Sequence, residues 1–118
     1  MEGAVADDTA LMALCREWRE AQGAVTAAVR DYMAVEAACW GEGERGGVAL
    51  LTAEERVDAA HLRVEATMKS VVGTPARTLG GVAATLGVAV EWADVYGDDA
   101  EVGMAFLRAA LGDVRRLL

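Results

Sequence analysis

From Leu11 to Cys39 the apolar residues recur in steps of three and four without a slip: Leu11, Leu14, Trp18, Ala21, Val25, Ala28, Tyr32, Val35 and Cys39. That alternation is the mark of a coiled-coil seam or of the inner face of a long helical hairpin. It predicts a first helix over residues 9–40. Asp7, Asp8 and Thr9 place caps and negative charge at its positive end. The stretch GEGERGG, Gly41 to Gly47, then reads as a glycine connector that cannot continue a helix cheaply. Thr52 with Glu55 three residues later has the capping-box spacing. It predicts a second helix over 53–72, with Val57, Ala60, Val64, Met68 and Val71 on one face and Gly73 as its stop.

A third helix is expected over 75–96, with Thr74 as cap and Pro75 in the first turn. At about 100° per residue, Leu79, Val82, Leu86, Ala89 and Ala93 form one stripe on it. Ala76, Gly80, Ala84 and Gly87 form a second, small-residue stripe nearly opposite. Glycines inside a helix cost about 1 kcal/mol each. The expectation is that this second stripe is a close-packing face, where another backbone approaches. Asp98 and Glu101 repeat the cap logic before a fourth helix over 99–117. Its stripe is Met104, Leu107, Leu111, Val114 and Leu118, widened by Phe106 and Ala110. No strand-like alternation and no internal repeat occurs. The fold class is therefore all-α: one domain over 1–118, with a long N-terminal helix forming a hairpin or bundle with three shorter helices.

Composition sharpens this picture. The chain has 118 residues, 54% of them hydrophobic, with 25 alanines and no isoleucine. Large apolar side chains are few for so long a seam. The first helix is thus expected to self-associate through Leu11, Leu14, Trp18, Val25, Tyr32 and Val35, giving a homodimer. The net charge of −8 repels phosphate backbones and anionic membrane surfaces, which argues against direct nucleic-acid or membrane binding. The apolar run from Val82 to Val90 is far shorter than the roughly 20 residues of a membrane helix. The start, MEGAVADDTA, lacks the basic and apolar segments of a secretory signal, so a cytoplasmic location is expected. Cys15 and Cys39, set on one helix, would lie about 36 Å apart at about 1.5 Å per residue, too far for a bridge within the chain.

Chemistry-bearing patterns are sparse. Asp58, His61 and Glu65 share a helix face, but His61 is the only histidine and a solvated polar face explains them. Two isolated cysteines lack zinc spacing, so no metal site and no cofactor is expected. LGGVAATLG lacks the strand and lysine of a phosphate loop. An acidic mimic of nucleic acid would need a one-sign face, and here basic residues are interleaved. The segment RVDAAH, Arg56 to His61, resembles the R-x4-6-H motif of HEPN-type ribonucleases, all-helical and usually dimeric, in which the arginine and histidine act on RNA phosphate. Val57 replaces the polar residue that often follows the arginine there.

Thr74 to Leu86, TPARTLGGVAATL, resembles a T-P-A-x-T-L-x-G-V-A-x-x-L motif of small helical proteins from GC-rich bacteria, their phages and mobile elements. Thr74, Pro75, Ala76, Thr78, Leu79, Gly81, Val82, Ala83 and Leu86 match it, whereas Gly80 and Gly87 are additions. The resemblance implies a phage or mobile-element origin and carries no catalytic residue. The expected function is a non-enzymatic protein-interaction module, a regulator or inhibitor that binds a protein partner. A HEPN-like ribonuclease or toxin–antitoxin component and a structural assembly subunit are the alternatives.

Overall fold

The computed structural model describes residues 7–41, 43–97 and 100–118. They form four α-helices: α1 (Thr9–Ala38), α2 (Glu44–Val72), α3 (Leu79–Tyr96) and α4 (Ala100–Leu117). No strand occurs among the described residues. The all-α class and the long N-terminal helix are as expected. The second helix, however, is 29 residues against 30 for the first, so α2 is not one of three short helices.

The reason lies in which glycines bend the chain. Gly41 and Gly43 take positive φ values of 84° and 62°, conformations that glycine reaches without steric cost. They complete the turn, and α2 starts at Glu44 with Gly46 and Gly47 already helical. The Gly47 amide donates to the Gly43 carbonyl at 3.0 Å. Thr52 is then a mid-helix residue, its hydroxyl bonded to the Val48 carbonyl at 3.1 Å, and caps nothing. α1 ends at Ala38, two residues before the expected Trp40, because the turn begins at Cys39.

The chain divides into two compact units. The first is Arg19–Ala66, a helical hairpin made of the latter part of α1, the glycine turn and most of α2. Ala21, Val25, Ala53 and Val64 are buried in it. Arg63 and Glu20 approach to 3.9 Å across the hairpin with both side chains well exposed, a contact of little energetic weight.

The second unit combines the start of α1 up to Trp18 with Thr67–Leu118. Its core holds Leu11, Cys15 and Trp18 from α1, Met68 and Val71 from the end of α2, and Val88, Trp92, Phe106 and Ala110 from α3 and α4. The Trp92 and Phe106 rings meet at 6.3 Å between centroids, tilted by 45°, a favourable aromatic geometry. Neither Cys15 nor Cys39 is in a disulfide. No helix among the described residues is long and apolar enough to cross a membrane.

Candidate functional site

The second unit is organised around the loop between α2 and α3. Thr74 ends α2: its hydroxyl donates to the Ser70 carbonyl at 2.7 Å. The cap of α3 is Thr78, with extended backbone, accepting the Gly81 amide at 3.0 Å. α3 therefore starts at Leu79, four residues later than Pro75 suggests. The cause is Asp8. Its carbonyl takes the first α1 bond, from Met12 at 2.7 Å. Its carboxylate crosses to the loop and accepts the amides of Arg77 at 2.8 Å and Thr78 at 2.9 Å, and the Thr78 hydroxyl at 2.5 Å.

The loop's preceding residue is held from the other side. Ala76, fully buried, donates its amide to Asp113 at 3.0 Å, and its carbonyl accepts from Arg116 at 2.6 Å. Arg116 also donates to Asp113 at 2.6 Å, an i,i+3 pair at the end of α4. Burial pushes the Asp8 carboxyl up, but the Thr78 hydroxyl, the two amides and the Arg77 charge outweigh it and hold Asp8 below its ordinary value. A cleft of about 550 Å³ lies beside this clamp, lined by Asp7, Asp8, Thr74, Pro75, Arg77 and Arg116 among others. Within it, Asp8 and Arg116 are engaged in holding the loop.

This clamp fixes how α3 and α4 are rotated, and both differ from expectation. On α4 the inward residues are Phe106, Ala110 and Asp113. The stripe of Met104, Leu107, Leu111 and Leu118 instead faces solvent, with Val114 half-buried. The inward side is thus the Phe106 and Ala110 edge of the expected stripe, about 110° around from the centre of its five other residues on a wheel of about 100° per residue. Asp113 must point in to grip Ala76, and Phe106 must point in to meet Trp92. On α3 the inward residues are Gly81, Val82, Thr85, Val88 and Trp92. Leu79 and Leu86 are exposed.

The expected close-packing face is corrected accordingly. Ala76 is buried, but in the loop and not on the helix. Gly80 is exposed, and a Cβ there would meet only the Thr78 hydroxyl oxygen at an ordinary 3.6 Å. Ala84 and Gly87 are half-buried. The glycine in tight contact is Gly81, where a Cβ would overlap the Asp8 carboxylate and reach the Ala76 Cβ at 3.0 Å.

The seam of α1 is divided between core and partly exposed positions. Leu11, Trp18 and Val25 are buried within the chain, and Leu14, Tyr32 and Val35 are half-buried. The first three belong to the core, and the other three keep part of their surface open. Arg56 and His61 are both exposed on α2. Five residues apart, they lie about 140° apart around the helix axis. Asp58 and Glu65 are exposed as well, and no group of three metal-capable residues occurs among the described residues. Asp98, expected to cap α4, lies outside the described residues.

Sequence reasoning missed Asp8, Asp113 and Arg116 as a group. Their separation along the chain leaves no spacing signal. The one clue was an acidic residue in the middle of an apolar stripe, Asp113 between Ala110 and Val114.

Compared with protein-family models, with curated proteins and with solved structures, the chain gives no match.

Proposed function

We propose that the chain is a non-enzymatic, all-helical protein-interaction module that acts by binding a protein partner. The observation that carries this reading is the outward stripe of α4. Met104, Leu107 and Leu111 are about half exposed at 46%, 55% and 50%, spaced so that one partner helix could cover all three. Contiguous exposed apolar surface on a small domain commonly marks an interaction site. The negative net charge favours a protein partner over nucleic acid. The resemblance of Thr74–Leu86 to small phage and mobile-element proteins supports a regulator or inhibitor carried by such an element.

The test is affinity capture of the tagged chain in the cells it comes from, with quantitative mass spectrometry, beside a Leu107→Asp/Leu111→Asp variant. The reading expects a stoichiometric polypeptide that the variant loses. Equal recovery of every protein by both forms would contradict it. RNA cleavage by the pure chain, abolished by His61→Ala with helicity intact, would replace it with the ribonuclease reading.

A further inference from the structure

The outer faces of α3 and α4 match each other. α3 exposes Leu79 (69%), Leu86 (37%) and Val90 (62%), and α4 exposes Met104, Leu107 and Leu111. With the exposed Ala83, the α3 positions step four, three, four; on α4 the steps are three and four, continuing to Val114 and Leu118. Both are knobs-into-holes registers. The helices are equally long, at 18 residues. Their flanking charges are opposite. Asp94 follows Val90 by one turn and Glu91 lies beside it, both exposed. Arg108 follows Met104 and Arg115 follows Leu111 by four residues, both exposed on one flank of the α4 stripe, where they outnumber the exposed Glu101 and leave that flank net basic.

We infer that the partner covering these faces is a second copy of this chain, α3 of each protomer seating on α4 of the other in a closed two-fold dimer. The inference rests on the interaction-module reading and names its partner. A self-complementary pair of faces is what a two-fold interface requires, since each contact occurs twice. Opposite charge along two apolar stripes fixes which helix meets which, and like charge there opposes pairing. An unrelated partner would need to match only one stripe, and nothing would then require α3 and α4 to carry opposite flanks.

The test uses the purified full chain in sedimentation equilibrium, with circular dichroism to confirm helicity. Wild type should sediment at twice its 12.4 kDa at about 100 µM and dissociate on dilution. Two variants are made: Arg108→Glu/Arg115→Glu, with both flanks acidic, and Glu91→Arg/Asp94→Arg, with both basic. Each alone should dimerise at least about tenfold more weakly. Mixed, they should form a one-to-one heterodimer, because each contact again pairs acid with base. The Glu91→Arg/Asp94→Arg variant is the sharper case, since lowering the net negative charge would promote non-specific association while this pairing predicts a weaker dimer. A wild-type monomer at that concentration overturns the inference, as does a dimer indifferent to both reversals or a ladder of species beyond the dimer. A monomeric chain that still captures another polypeptide through Leu107 and Leu111 would remove the self-pairing and leave the interaction-module reading standing. Loss of both would remove the two together.

Discussion

At the scale of single residues, Asp8 and Gly81 are a matched pair. The carboxylate can accept the Arg77 and Thr78 donors only because residue 81 has no Cβ in the space it fills. Gly81→Ala should therefore destabilise the fold by about 1–3 kcal/mol through overpacking. Gly80→Ala, one residue earlier, should stabilise by about 0.5 kcal/mol through helix propensity alone. Urea denaturation of the two variants checks the pair, and equal signs would contradict the geometry. Asp8 itself makes stability depend on pH. Its folded pKa lies below the ordinary 3.8, so its contribution is fully present above about pH 4 and is lost as pH falls through the folded value. Asp8→Ala should cost about 1–3 kcal/mol at neutral pH, leaving the part-buried amides of Arg77 and Thr78 without their acceptor. It should also flatten the acid limb of the stability curve. Denaturation midpoints from pH 7 down to pH 3 read both effects.

At the scale of elements, the existence of four helices was legible and their ends were not. The 3/4 periodicity of α1 runs without interruption, and the helix follows it nearly to its end. Glycine-rich sequence was the poorer guide, because in an open turn a glycine is needed only where φ is positive. Gly41 and Gly43 meet that condition, whereas Gly47 is an exposed helical residue with open space where a Cβ would go. Gly47→Ala is thus expected to raise stability by about 0.5–1 kcal/mol. Gly41→Ala should lower it, since an L side chain is strained at that φ. Thermal melts of the two variants give opposite shifts if α2 begins at Glu44. They give two small shifts if the whole stretch is a loose connector. The same lesson applies to Thr74 and Thr78. Both have cap chemistry, and Asp8, roughly seventy residues away in sequence, selects the second.

For the whole molecule, periodicity shows that a stripe will be covered but not by what. The α1 stripe, read as a seam between chains or the inner face of a hairpin, buries Leu11, Trp18 and Val25 within the chain and leaves Leu14, Tyr32 and Val35 half-buried. Of the wide α4 stripe, Phe106 and Ala110 face in and Met104, Leu107 and Leu111 face outward, because Asp113 gripping Ala76 and Phe106 meeting Trp92 set the rotation of that helix. These are long-range contacts, and no local spacing encodes them. The candidate interaction surface was consequently visible in the sequence as a set of residues, without the side of the helix that would be left uncovered. The central claim is that Leu107 and Leu111 form the surface that meets a second copy of the chain and are not core. Sedimentation equilibrium of Leu107→Asp/Leu111→Asp beside wild type, with helicity recorded on the same samples, tests it most directly. The account predicts a wild-type dimer and a variant that remains helical as a monomer. A variant that unfolds, or a wild type that stays monomeric throughout, would contradict it.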